Sequence, residues 1–271
     1  MPEAVPRVTP PPPAPVAVPV PVSPKDRFIT VYGRNPVLEV LADRSLEVNK
    51  VILADTARGA GVDEIVAAAA RRGVPLQRAG AKRVKKLAGN GRQDQGVLAD
   101  VVAPRMRPLA QALADAPLSR VVLLDGVTTP ANVGMVIRSA TAAGVDGIVV
   151  PRRGVASLDP LVVKASAGVA FRAPILKVGT ALEAAIALRD NGFQLVGLSA
   201  EGACPLFRAR LGDRVALILG SETAGIDPAI AEMVDLWVSI PMSNGVESLN
   251  VSAAAAVVCF ELVRRGEGGG P

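Results

Sequence analysis

Short apolar runs alternate with amphipathic stretches along most of the chain, and the alternation falls into two blocks. In the first block the pattern predicts strands over 49–54, 75–78 and 97–102 and helices over 62–72 and 81–87. In the second it predicts strands over 121–124, 147–150, 194–198, 215–219 and 236–240, with helical periodicity between them. Such βα alternation implies the α/β class, with a parallel sheet covered on both faces. Between the blocks, 103–118 (APRMRPLAQALADAPL) reads as a linker with a short helix bounded by prolines.

Three strands of the second block run into polar turns. The strand over 121–124 leads into Asp125-Gly126-Val127-Thr128-Thr129-Pro130-Ala131-Asn132, then a helix carrying Arg138 about two turns past Asn132. The strand over 215–219 ends in Gly220-Ser221-Glu222-Thr223-Ala224-Gly225. The run DLWVSI, 235–240, ends at Pro241, followed by turn chemistry at Ser243-Asn244-Gly245 and a helix expected to begin near Ser248. Ser248 or Asn250 would satisfy its first free N–H groups. In open α/β sheets ligands bind at such strand ends, so these turns are the candidate site.

These three segments, in this order, resemble the three motifs of the SpoU/TrmH family of RNA ribose 2′-O-methyltransferases. Upstream, Thr30-Val31-Tyr32-Gly33-Arg34-Asn35-Pro36-Val37-Leu38-Glu39-Val40-Leu41 and Asp94-Gln95-Gly96-Val97 are similar to the ends of the small substrate-binding domain of one branch, which includes guanosine 2′-O-methyltransferases of bacterial large-subunit rRNA. The resemblance implies an L30e-like α/β domain followed by a SPOUT domain with a parallel sheet and a C-terminal trefoil knot. It implies S-adenosylmethionine as cofactor, with Gly220, Ile240 and Leu249 holding its adenosine. It assigns the reaction to Arg138, with Asn132, Glu222, Ser248 and Asn250 organising substrate and arginine around it. A guanidinium is a poor base, so Arg138 is expected to grip a phosphate and stabilise charge on the ribose oxygen. Two departures stand out: Asp94-Gln95-Gly96 replaces the family's common His-Gln-Gly, and Ser221-Glu222-Thr223-Ala224-Gly225 replaces Asn-Glu-Gly-X-Gly.

Composition narrows the alternatives. The chain has no histidine, which removes a Ser-His-Asp triad or a histidine general base. It has neither a G-x-x-x-x-G-K-[ST] loop nor a G-x-G-x-x-G after a strand, against a P-loop NTPase or a standard dinucleotide fold. Cys204 and Cys259 lack a CxxC or histidine partner, so no metal site is expected, and both read as buried free thiols in a reducing cytoplasm. Half the residues are hydrophobic, yet no unbroken apolar stretch of about 18 is present, so a soluble protein without membrane spans is expected.

Charge separates the two blocks. Residues 25–107 hold 16 Lys and Arg against 9 Asp and Glu, a net of +7, whereas 108–271 hold 13 against 15, a net of −2. The excess includes Lys82, Arg83, Lys85 and Lys86 on one short helix, Arg92 in the next loop, and Arg34 upstream. Such a patch attracts RNA phosphates without reading sequence. The organisation expected is therefore a tail (1–26), an RNA substrate-binding domain (27–103), a linker (104–118), a methyltransferase domain (119–266) and a flexible end (267–271). The first 24 residues contain ten prolines and read as an extended or disordered tail, without the pattern of a signal or transit peptide. Family resemblance and the apolar helix over 251–262 point to a homodimer. The readings set against a 23S rRNA enzyme are a tRNA or antibiotic-resistance rRNA methyltransferase on the same fold and a non-catalytic RNA-binding protein.

Overall fold

A computed structural model of the chain describes residues 26–89, 94–115 and 117–267. The proline-rich segment and Arg92 lie outside the described residues.

The first block is built from β1 (Phe28–Tyr32), α1 (Arg34–Ala42), β2 (Val48–Ala54), α2 (Ala60–Arg72), β3 (Leu76–Ala79), α3 (Ala81–Ala88) and β4 (Val97–Val102). Its sheet has the order β1-β4-β2-β3, with β4 antiparallel to both β1 and β2, and β3 parallel to β2. The pleat sends Ile29, Val31, Val51, Leu53, Val97, Ala99 and Val101 to one side, and all are at most 1% exposed. The other side carries Thr30, Lys50, Ile52 and Asp100. Gly73, in the left-handed region at φ 68°, ends α2 by donating to the carbonyls of Ala69 and Ala70.

The second block continues with β5 (Arg107–Pro108), α4 (Leu109–Asp115), β6 (Arg120–Leu124), α5 (Pro130–Ala142), β7 (Gly147–Pro151), α6 (Pro160–Ala165) and β8 (Ile175–Val178). It is completed by α7 (Ala181–Asp190), β9 (Gln194–Leu198), β10 (Cys204–Pro205), β11 (Val215–Leu219), α8 (Pro228–Ala231), β12 (Leu236–Ser239) and α9 (Val251–Glu267). Among the described residues these strands form one sheet in the order β10-β12-β9-β11-β6-β7-β8-β5, parallel at every pairing. Both faces are covered, as alternation along β6 makes plain. Val122 and Leu124 pack with Val133, Val136 and Ile137 of α5, whereas Val121 and Leu123 pack with Ala184, Ala185 and Leu188 of α7. Among the described residues no helix is long and apolar enough to cross a membrane.

The expected strands are all present to within a residue or two. The pattern missed β1, β5, β8, β10 and α1. The segment expected as a linker carries β5, which pairs with β8, and buries Leu109, Ala112 and Leu118 in the larger core. Pro108 can close this sheet because an edge strand leaves its missing N–H unneeded. The last helix begins at Val251 rather than near Ser248. Asn250 accepts at Oδ1 from the Ser252 N–H (2.9 Å), so the asparagine caps the helix and residues 246–250 stay irregular. Cys259 is buried as expected, but Cys204 is only half-buried because it sits on the edge strand β10.

The two blocks meet at β1 and α6. Tyr32 donates its hydroxyl to Asp159 (3.3 Å), which also caps α6 through the N–H groups of Leu161 and Val162. Buried Asp26 pairs with Arg152 next to Lys177.

Candidate active site

The C-terminal ends of β9, β11 and β12 lie side by side, and the segments that leave them, with the start of α9, enclose a cavity of about 460 Å³. Gly220 begins the loop after β11, where Ser221 and Gly225 exchange backbone hydrogen bonds at 2.9 and 3.0 Å. A Cβ on Gly220 would lie 2.6 Å from the Gly225 carbonyl oxygen. The close approach that demands glycine here is thus to the loop's own backbone.

This turn presents Glu222 to the start of α9. Its Oε1 accepts from the Asn250 Nδ2 (2.6 Å) and the Val251 N–H (3.3 Å), so a carboxylate sits where the helix dipole favours negative charge. The same Asn250 amide donates to Oδ1 of Asn132 (3.0 Å), on the first turn of α5. Asn250 Oδ1 accepts from the Ser252 hydroxyl (2.5 Å) as well as from its N–H. Residues 118 positions apart in the chain are therefore locked into one polar network. Asn132 is 6% exposed, and its pairing with Asn250 satisfies an amide that would otherwise be costly to bury.

Gly220, Glu222, Ile240, Ser248, Leu249 and Asn250 all line the one cavity. Its apolar share comes from Leu219, Ile240, Leu249 and Trp237, its polar share from the loop backbones and these few side chains. That size and mixture suit a small organic ligand held largely by shape. Asn132 reaches the cavity wall through Asn250. Arg138 does not line the cavity. It is exposed on α5 and makes no hydrogen bond or ion pair among the described residues.

Lys82, Arg83, Lys85 and Lys86 are exposed on α3, where only Val84 is buried, so the basic helix belongs to the small sheet and not to the cavity. Arg34 opens α1, donating from Nη2 to the Arg58 carbonyl (3.1 Å) and from its backbone N–H to Gln95 Oε1 (3.0 Å). Arg92 lies outside the described residues.

The motif pattern gives Asp125 no task, but the fold does. Its Oδ2 accepts from the Asp227 N–H (2.6 Å), tying the end of β6 to the far side of the Gly220 loop. Burial pushes this carboxyl above the ordinary value, against the Asp227 N–H, which favours the charged form. The signal available in the sequence is position, since Asp125 directly follows a wholly apolar strand. Trp237 and Met242 also line the cavity from within the third segment, which assigns neither a role, and Leu198, Ser199 and Ala200, at the end of β9, line it from outside all three segments. Among the described residues no group of three or more His, Cys, Asp or Glu is placed to hold a metal ion.

A polar-rimmed cavity at the carboxyl ends of parallel strands defines an α/β protein that takes a small ligand at its strand ends. The family is narrower than that class: residues 119–260 match the SpoU rRNA methylase family, and residues 30–107 match the RNA 2′-O ribose methyltransferase substrate-binding family. The chain belongs to the SpoU rRNA methylase family. It is 31% identical over 241 residues to a TrmH family tRNA/rRNA methyltransferase of Staphylococcus saprophyticus, covering 88% of this chain and 96% of that one. It is 34% identical over 239 residues to the 23S rRNA (guanosine-2′-O-)-methyltransferase RlmB of Xanthomonas axonopodis pv. citri, covering 87% and 96%. Among solved structures it resembles the SpoU methyltransferase AviRb of Streptomyces viridochromogenes in complex with AdoMet, at a TM-score of 0.61 and 26% identity over 90% of this chain and 92% of that one.

Proposed function

We propose that the protein transfers a methyl group from S-adenosylmethionine to a ribose 2′-oxygen of structured RNA, with 23S rRNA as the substrate. The observation that carries this is the joining of Asn132, Glu222 and Asn250, one from each strand-end segment, beside a cavity sized for a nucleoside cofactor. Family membership and the named rRNA methyltransferase relatives support the same reading.

In this reading Gly220, Ile240 and Leu249 hold the adenosine, through the loop backbones and apolar surface that line the cavity. S-adenosylmethionine supplies an activated methyl group. The task left to the chain is to hold the ribose oxygen in line with it and to offset the oxygen's developing charge. Glu222, Asn250 and Asn132 fix the wall against which the ribose docks, and Ser248 adds an exposed hydroxyl at the rim. Arg138 grips the adjacent phosphate and stabilises the oxyanion. Its exposure outside its own chain's cavity is accounted for by a homodimer, in which the flank of α5 faces a second copy. Met135, 39% exposed on that helix, and Phe260, 50% exposed on α9, supply apolar surface for such an interface.

The finer architecture belongs to the same proposal: an L30e-like RNA-binding domain over 27–103, a joining segment over 104–118, a methyltransferase domain over 119–266 and a trefoil knot at its C-terminal end. The basic helix with Lys82, Arg83, Lys85 and Lys86, together with Arg34 and Arg92, would meet RNA phosphates, in the cytoplasm where rRNA is made. The direct test incubates the protein with tritiated S-adenosylmethionine and unmodified 23S rRNA and maps the alkali-resistant linkage. Label in one ribose supports the reading. Saturable binding of the cofactor without label in rRNA or tRNA would leave a non-catalytic RNA-binding protein.

A further inference from the structure

The small domain holds a second cavity, of about 130 Å³, between the end of its sheet and α3. It lies on the sheet face opposite the fully buried one. Lys50 and Ile52 share that face by strand alternation, Asp100 sits opposite Lys50 in the antiparallel register, and Gln77 is in register with Ile52 on the edge strand β3. The cavity therefore has three kinds of wall. Ile52, Ala79 and Leu87 are apolar, and Leu87 is 45% exposed on a short helix otherwise dominated by cations. Lys50, Arg78 and Arg83 are cationic. Asp100 and Gln77 carry hydrogen-bonding groups without a positive charge.

We infer that this cavity takes one unpaired nucleobase of the RNA and that Asp100 selects bases carrying an exocyclic amino group, a step that rests on the RNA methyltransferase reading above. A phosphate-binding patch alone needs neither an apolar floor nor a carboxylate. A nucleobase needs both, because its faces are apolar and its edge carries donors and acceptors, and unpaired bases are the part of RNA that side chains read. Arg78 and Arg83, with the exposed Lys82, Lys85 and Lys86 beside them, complement the phosphates that flank such a base.

Asp100 is suited to reading because it is held rigidly. Its Oδ1 accepts from the Thr30 hydroxyl (2.8 Å), and its Oδ2 lies 3.6 Å from Lys50 Nζ, which leaves lone pairs on both oxygens for a ligand. Its side chain is 15% exposed, so a base at the cavity meets it partly shielded from water. Adenine, cytosine and guanine each offer an amino group to such an acceptor. Uracil has no exocyclic amino group: its one edge donor, the ring N3–H, is flanked on both sides by carbonyl oxygens that meet the carboxylate with like charge. Gln77 supplies both an amide donor and an amide acceptor to the rest of the edge.

The test uses the full chain and four labelled RNA hairpins with one common stem and loops made only of A, C, G or U, with affinity read by fluorescence anisotropy. The A, C and G loops should bind on the order of 5-fold or more tighter than the U loop, the scale of a specific edge contact. Asp100→Asn should abolish that preference while the salt dependence stays at wild type, since every cation that meets a phosphate is still in place. In parallel, an 8-azidoadenosine in the A loop, irradiated with the unaltered protein, should cross-link within residues 76–88 or 98–100. Equal affinity for all four loops, an unchanged preference in Asp100→Asn, or a cross-link confined to the larger domain each overturns the inference. Methyl transfer to rRNA with any of these outcomes leaves the enzyme reading intact, whereas loss of both RNA binding and methyl transfer in the unaltered protein removes the two together.

Discussion

Arg138 stands about two turns along α5 from Asn132, exposed and without a side-chain partner among the described residues, whereas Asn132 is buried in the polar network. That separation gives the two residues different expected phenotypes. Arg138→Ala should lower the single-turnover methyl-transfer rate on the order of 100-fold or more, the scale for removing one charge-stabilising donor. Calorimetric affinity for S-adenosylmethionine should hold, because Arg138 does not line the cavity; near-wild-type turnover would remove Arg138 from the reaction. Lys177 tests a different physics. Burial pushes its ammonium down to about 8, Arg152 adds to the effect and Asp26 opposes it. Between about 8 and the ordinary value of 10.5 the unfolded chain binds more protons at this site, so its contribution to stability improves as pH rises through that window. The cost of the buried charge is complete below it. Lys177→Met should therefore stabilise the protein most near pH 7, and the gain should shrink towards pH 10 in paired denaturant titrations; a gain independent of pH would contradict the assignment.

Helices meet closely where glycine or alanine removes side-chain bulk. Gly134, buried inside α5, faces α6 so tightly that an added Cβ would lie 2.7 Å from the Val162 carbonyl oxygen and 2.9 Å from the Ser166 nitrogen. The higher helix propensity of alanine would not offset that overlap, so Gly134→Ala should destabilise by about 1–3 kcal/mol, the usual cost of overpacking, seen as a lower denaturation midpoint. A second element, α3, makes the opposite case, being almost wholly solvated. Replacing Lys82, Arg83, Lys85 and Lys86 with alanine should leave the melting temperature and cofactor affinity nearly unchanged and weaken RNA binding. The slope of affinity against salt should fall by roughly 0.9 for each phosphate no longer neutralised; an unchanged slope would make the patch a solvated face only. At this scale most strands were legible because an apolar or alternating run ended by a turn marks them. β5 and β10 were not, since two residues carry no periodicity, and these two, like the missed β1 and β8, are strands by the neighbour each one pairs with.

The molecule as a whole leaves an apolar flank open. Phe260 is 50% exposed on α9, with Val257 and Ala256 half-buried one turn before it and Ala253 exposed beyond. Light scattering at micromolar concentration should report a dimer, and Phe260→Glu should shift it towards monomer with loss of methyl transfer and retention of cofactor binding. A monomeric wild-type protein that still methylates RNA would take the dimer out of the mechanism. The two sheets share one continuous apolar core, which runs from Ile29, Val31 and Val40 to Val133, Val162 and Phe171, with Tyr32 on Asp159 and Asp26 on Arg152 as polar ties beside it. The two blocks differ in sign, +7 over 25–107 and −2 over 108–271, as the proposed division between RNA attraction and cofactor binding requires.

The sequence by itself determined the class and the order of the main elements and marked several residues that line the cavity, because each rests on local information: apolar runs, turn residues, and polar groups placed just past strand ends. Gly220, Glu222, Ile240, Ser248, Leu249 and Asn250 are all named by their segments and all line one cavity. Only the tertiary structure decided how those residues act on one another. That Glu222 caps α9 while Asn250 bridges it to Asn132, that Asp125 braces the Gly220 loop, and that Arg138 stands outside its own chain's cavity depend on where strands far apart in the chain come to lie side by side. Hydrogen bonds over 118 and 102 positions follow from the strand order β12-β9-β11-β6, and a strand's neighbours in a parallel sheet are set by crossovers and packing rather than by anything written within the strand itself.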